Sequence, residues 1–153
     1  MRKSYSIVLG LFLLLLGCND DFTNDQSIDN ELIINYIAQN NIEAYHYSDG
    51  LYYNTITNEI QSNNYPNPTS TIEVKYTGYL IDGTVIDSSN NKFISVSLTE
   101  CIEGWQLGIP LLTENSKGML FIPSNLAYGE FATNSIPPHS VIIYEIELKG
   151  FHN

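Results

Sequence analysis

Three segments of this chain alternate apolar and polar residues with a period of two, and a segment lying among them does not. Ile72, Val74 and Tyr76 alternate with Glu73, Lys75 and Thr77; Ile94, Val96 and Leu98 alternate with Ser95 and Ser97; Ile142, Tyr144, Ile146 and Leu148 alternate with Ile143, Glu145, Glu147 and Lys149. Successive side chains of a strand point to opposite faces, so each segment predicts a strand with one face made for a core. Trp105, Ile109 and Leu112 are instead spaced four and three apart, which puts them on one side of a helix. One short helix among about five antiparallel strands must lay its apolar stripe on a sheet face. The predicted class is α+β: a bent antiparallel sheet, or half-barrel, wrapped around one short helix with Trp105 pointing inward.

Local signals refine this order. Asp82-Gly83 marks a tight hairpin before Thr84 to Ile86. Pro110 interrupts the helical pattern, where an interior proline costs roughly 3 kcal/mol, so the helix must start late or kink there. Upstream, Leu32, Ile33, Tyr36 and Ile37 recur at helical spacing behind Asp29, a candidate cap, and predict about three helical turns. Ala44 to Tyr47 and Leu51 to Ile56, split by Ser48-Asp49-Gly50, predict a hairpin. Asn63 to Ser70, with Pro66 and Pro68, reads as a linker or edge loop. The predicted organisation is an N-terminal helix and hairpin extension over 29–65 and a main domain over 66–153, whose sheet the hairpin is free to join.

The first residues read as a leader. Arg2 and Lys3 precede an apolar run from Ile7 to Leu16 that is short for a bilayer span and ends at a small residue, the pattern of a secretory signal peptide over 1–17. Leu15-Leu16-Gly17-Cys18 resembles the lipobox of bacterial lipoproteins, in which the cysteine is lipidated and becomes the mature N-terminus. An uncleaved anchor, or an ordinary signal with a coincidental cysteine, is the other reading. Lipid on Cys18 leaves Cys101 as the one thiol, so an exported chain would carry no disulfide. Each buried methylene contributes about 0.8 kcal/mol, which makes two or more acyl chains a lasting membrane tether. The implied location is the cell envelope, lipid-anchored to a membrane, on its periplasmic face or outward on the outer membrane. Residues 18–28, acidic and polar from Asn19 to Asp25, predict a flexible tether. Such acids are similar to the surface-export signals of some lipoproteins and suit a solvated linker equally well.

Charge and residue types exclude several functions. Six Lys/Arg less the two in the leader leave four cations against 17 acids, a formal charge of −13, and repulsion from phosphate excludes nucleic acid as a partner. His46 lies in the hairpin, His139 follows two prolines and His152 stands at the C-terminus, so none is placed to serve a nucleophile. Cys101 has no second cysteine or histidine at metal spacing, and no glycine-rich phosphate loop occurs, so neither metal nor cofactor is implied. Asp87, followed by Ser88 and Ser89 at a strand end, is the one carboxylate of note, and alone it suits a turn cap.

Four motifs in order carry a resemblance. Val74-Lys-Tyr-Thr-Gly-Tyr-Leu-Ile-Asp-Gly-Thr-Val-Ile-Asp-Ser-Ser89, Cys101-Ile-Glu-Gly-Trp-Gln-Leu-Gly108, Ile122-Pro-Ser-Asn-Leu-Ala-Tyr-Gly129 and Ile136-Pro-Pro-His-Ser-Val-Ile-Ile-Tyr-Glu-Ile-Glu-Leu148 resemble the motifs of the FKBP-type peptidyl-prolyl isomerases, over residues 66–150. The resemblance implies an apolar pocket between sheet and helix, and proline-containing polypeptide segments as substrates. It implies Trp105 as the floor under the proline ring, Tyr76 and Tyr144 as walls, the Ile102 N–H and the Tyr128 hydroxyl as donors, and Asp87 at the rim tied to Tyr76. Ile86, Val96, Cys101 and Ile136 would line the substrate's approach. The loop from Leu126 to His139 would be a lid in which Gly129 turns the chain and Pro137-Pro138 stiffen it.

The chain also departs from the best-studied members. Ile86 replaces a phenylalanine, aliphatic Ile94 and Val96 stand where aromatics are common, Cys101 replaces a valine, Tyr144 replaces a phenylalanine, and the loop after Tyr128 is about one residue shorter. Each lost ring contact weakens the grip on proline by about 0.5–1.5 kcal/mol. The resemblance therefore leaves three functions open: an envelope isomerase acting on exported proteins, a non-catalytic proline-segment binder or chaperone, and a structural part of an envelope machinery such as gliding motility.

Overall fold

The computed structural model describes residues 20–56, 63–131, 133 and 135–153. The leader and Cys18 lie outside the described residues. The chain runs α1 (Asp20–Gln39), β1 (Tyr45–His46), β2 (Tyr52–Ile56), β3 (Thr71–Leu80), β4 (Val85–Ser88), β5 (Ile94–Ser97), α2 (Glu103–Gly108), β6 (Ser116–Ile122) and β7 (Ile142–His152). The strands form one antiparallel sheet in the order β1-β2-β6-β7-β3-β4, with β5 also paired to β3. The predicted α+β class holds: an open antiparallel sheet with the short α2 against one face.

That inner face is the alternation read from the sequence. Ile72 and Val74 from β3 and Ile142, Tyr144, Ile146 and Leu148 from β7 are buried around Trp105, Ile109 and Leu112. Pro110 is accommodated by ending α2 at Gly108 and tightening Ile109–Leu111 into a 3₁₀ turn, where the missing N–H falls in a first turn and leaves no bond unmade. Gly104 and Gly108, one helical turn apart, let α2 lie directly on β6, since a methyl group at either would strike Ile122 or Leu120.

β6 is the strand that the periodicity did not reveal. Met119-Leu120-Phe121-Ile122 is a continuous apolar run because both of its faces are covered: Leu120 and Ile122 face α2, while Phe121 packs with Ile33 of α1, Val141 and Ile143. The hairpin forms as expected, with Asp49 and Gly50 both at positive φ in its turn (53° and 81°). It joins the main sheet through β2, whose Tyr52 to Ile56 pair with Phe121 to Lys117 of β6.

Two expectations about the N-terminal segment are corrected. The helix begins at Asp20, not Asp29, so from Asp20 onward the stretch expected to be a flexible tether is helical. Asp29 is not the cap; it sits inside α1, is 2% exposed, and bonds to Ser124 instead. The stripe formed by Ile33, Tyr36 and Ile37 lies on the outer face of the sheet.

Candidate active site

Each residue of the candidate site arrives from a different element. β3 presents Tyr76 on the inner face and β7 presents Tyr144 on the same face, opposite Gly78. A Cβ on Gly78 would lie 2.6 Å from Cε1 of Tyr144, so the bare glycine gives the Tyr144 ring its place. α2 delivers Trp105, 4% exposed, between them. The three rings stand edge to face in a closed set: Tyr76 to Trp105 at 5.0 Å and 90°, Trp105 to Tyr144 at 5.1 Å and 83°, Tyr76 to Tyr144 at 5.8 Å and 66°. These are the geometries aromatic quadrupoles prefer.

A bulge sets the rim. Gly78 pairs with Asp87 and Tyr79 with Val85, leaving Ile86 as the extra residue of β4. The bulge turns Asp87 so that its Oδ2 accepts the Tyr76 hydroxyl at 3.0 Å, while its Oδ1 accepts the Ser88 N–H at 2.7 Å. Ser89 fastens the same corner: its N–H donates to the Tyr76 carbonyl at 3.1 Å and its Oγ accepts the Tyr76 N–H at 3.1 Å. Burial first, then the bond to Asp87, pushes the Tyr76 hydroxyl up to about 12. Burial, followed by the neighbouring Tyr128 hydroxyl, pushes Tyr144 up further still. The Asp87 carboxylate and the Tyr128 hydroxyl thus lie close enough to act on Tyr76 and Tyr144.

The donors sit at the helix entry. Ile102 is the N-cap of α2, its carbonyl accepting the N–H of Trp105 at 3.0 Å and of Gln106 at 3.3 Å. Its own N–H has no acceptor among the described residues, as expected at a helix start. The Gln106 side chain holds this corner by donating to the Cys101 carbonyl at 2.8 Å. The indole Nε1 of Trp105 is also buried without a partner among the described residues.

Ile86, Val96, Cys101, Ile102 and Tyr128 are partly buried against the core beside these rings, whereas Ile136 is 5% exposed and lies within it. Cys101 donates its thiol to the Ser97 carbonyl at 3.4 Å, and burial, then Glu100, raises its pKa, which disfavours the reactive thiolate. The histidines stand apart: His46 packs on Tyr52, His139 pairs with Asp25, and His152 pairs in register with Thr71. Among the described residues no cluster of His, Cys, Asp and Glu is arranged to hold a metal. A cavity of about 790 Å³ opens not over Trp105 but beside Tyr128, between α1 and the loop after β6.

Sequence reasoning missed two contributors. Gly78 carried a signal, a glycine inside a strand pattern. Ser89 carried none, since its role depends on which backbone groups the fold brings to it.

Fold and site define an α+β domain built around an aromatic cluster, with a ring of hydroxyls and one carboxylate at its edge. Residues 62–149 match the FKBP-type peptidyl-prolyl cis-trans isomerase family, and the chain belongs to that family. It is 41% identical over 85 residues to the FKBP-type peptidyl-prolyl cis-trans isomerase FkpA of Aeromonas hydrophila, a match that takes in 54% of this chain and 32% of that protein. It is 43% identical over 86 residues to the FKBP-type 22 kDa peptidyl-prolyl cis-trans isomerase of Escherichia coli (strain K12), covering 54% of this chain and 42% of the relative. The chain thus spans well under half the length of these relatives. A crystal structure of a peptidyl-prolyl cis-trans isomerase from Pseudomonas syringae superposes with a TM-score of 0.73 at 25% identity, covering 90% of this chain and 100% of that one.

Proposed function

We propose that this protein is a peptidyl-prolyl cis-trans isomerase of the cell envelope that accelerates rotation of X-Pro bonds in exported proteins. Rotation must overcome a barrier of about 18–20 kcal/mol, because twisting the amide destroys the resonance between nitrogen and carbonyl. No bond to the protein is needed. The twisted amide has less charge separation than the planar one, so transfer from water to an apolar site favours the transition state over the ground state.

The observation that carries this reading is the closed set of Tyr76, Trp105 and Tyr144, with Asp87 hydrogen-bonded to Tyr76 at its edge. In this reading the proline ring rests on Trp105 between the two tyrosines. The Ile102 N–H and the Tyr128 hydroxyl hold the substrate backbone, and Asp87 faces the rotating carbonyl. Ile86, Val96 and Cys101 form the apolar approach, and Ile136 supports the loop above it.

Envelope placement is supported by the signal-peptide pattern over 1–17 and the lipobox-like Leu15-Leu16-Gly17-Cys18, which would place a lipid on Cys18. No helix among the described residues is long and apolar enough to cross a membrane. Isomerisation of a proline peptide, followed with and without the protein, tests the activity. A labelled proline peptide that bound but was turned no faster than in buffer would make the domain a binder instead.

A further inference from the structure

We propose that α1 is a working part of this site, with Asp29 as a positioning residue that sets Tyr128 through Ser124. The inference rests on the isomerase reading given above. The Oδ2 of Asp29 accepts both the N–H of Ser124 at 2.7 Å and its Oγ–H at 2.6 Å, and both residues are buried, 2% and 3% exposed. The carbonyl of Ser124 then accepts the N–H of Ala127 at 3.0 Å and of Gly129 at 2.8 Å, the residues on either side of Tyr128. The carbonyl of Gly129 accepts the N–H of His139 at 2.7 Å, and His139 Nδ1 lies 2.9 Å from Oδ2 of Asp25. Asp25 and Asp29 are four residues apart, on one face of α1. The circuit starts on the helix, passes both sides of Tyr128 and returns to the helix.

Packing holds this part of the loop only in part. Leu126 and Ile136 anchor its two ends in the core and Ala127 and Tyr128 pack partly against it, but Tyr128 and Gly129 also border the cavity of about 790 Å³, together with Asp25, Ser124 and His139. Over that space, polar bonds set the backbone's position. The half-exposed pair of His139 and Asp25 is screened by solvent and contributes little. The two buried, charge-assisted bonds from Asp29 are therefore the main fixture. Burying a carboxylate is costly, and here its return is geometric: the backbone on both sides of Tyr128 is held in place through Ser124.

The test uses the full chain and a mutant cycle. Asp29→Ala is expected to lower kcat/KM about tenfold in the wild-type background and less than about twofold in Tyr128→Phe, because the two changes remove the same interaction. Equal losses in both backgrounds, or no loss, would overturn the proposal. Amide hydrogen exchange gives a readout free of activity. Asp29→Ala should speed exchange at Ala127 and Gly129 while leaving β3 and β7 unchanged, and Asp29→Asn, which keeps one acceptor oxygen, should recover most of the protection. Uniform acceleration across β3 and β7, or none at Ala127 and Gly129, would equally overturn it. If Asp29→Ala does not fold, Ser124→Ala, which removes only the Oγ bond, should show the same pattern at a smaller scale, and additive losses there would have the same adverse meaning. A wild-type protein that is inactive yet shows the expected exchange would instead count against the isomerase reading alone.

Discussion

The Tyr76 hydroxyl donates to Oδ2 of Asp87 at 3.0 Å, joining the middle of β3 to the residue that follows the bulge in β4. The bond fixes the carboxylate at the edge of the aromatic cluster and raises the hydroxyl's own pKa. Asp87→Ala is expected to lower kcat/KM about tenfold, the scale of one lost charge-assisted hydrogen bond. In the same variant Tyr76 should ionise below about 12, yet still above its ordinary 10.0, because burial is the larger cause. Isomerase kinetics and a tyrosinate absorbance titration check the two halves separately.

Gly78→Ala places a methyl group 2.6 Å from Cε1 of Tyr144. The ring must swing off its place against Trp105, and overpacking of this kind costs about 1–3 kcal/mol. The chain has a single tryptophan, Trp105, so fluorescence reports the disturbance directly. Reduced denaturant stability, a shifted emission maximum and reduced activity should appear together.

Alkaline pH should destabilise the fold through Tyr76 and Tyr144. Both hydroxyls hold their protons more tightly when folded than the ordinary value of 10.0, so their contribution is complete below pH 10.0 and is lost as pH rises through the folded values. Denaturation midpoints should be unaffected by these two groups at neutral pH and fall above pH 10.0. Tyr144→Phe should flatten that fall.

Cys101 gives a test of the approach to the site. Its partly buried thiol, with a raised pKa, should react slowly with alkylating reagents. In a protein carrying Cys18→Ser, saturating proline peptide should slow the reaction further. An unchanged rate would remove Cys101 from the substrate's path.

How much of this was legible depends on which faces meet water. β3 and β5 could be read because one face of each carries polar residues, whereas β6 could not, because α1 and α2 cover Phe121 and Leu120 from opposite sides and erase the alternation. The apolar stripe of α1 was visible, but a stripe does not say which surface it covers. Asp29 looked like a cap because residue type alone cannot distinguish a carboxylate that serves its own helix from one that serves Ser124, 95 positions away. Tyr76, Trp105 and Tyr144 have the composition of ordinary core, and only the ordered motifs around them suggested a site. Their convergence depends on Gly78 and on the bulge at Ile86, and no periodicity encodes either.

The most direct measurement is the rate at which a cis X-Pro bond in a short peptide turns to trans with catalytic amounts of the full chain present. Acceleration well above the buffer rate, lost in Trp105→Ala while the rest of the fold persists, is the expected result. A wild-type rate equal to that of buffer, or a Trp105→Ala variant as fast as wild type, would contradict the claim that the aromatic cluster turns proline bonds by desolvating them.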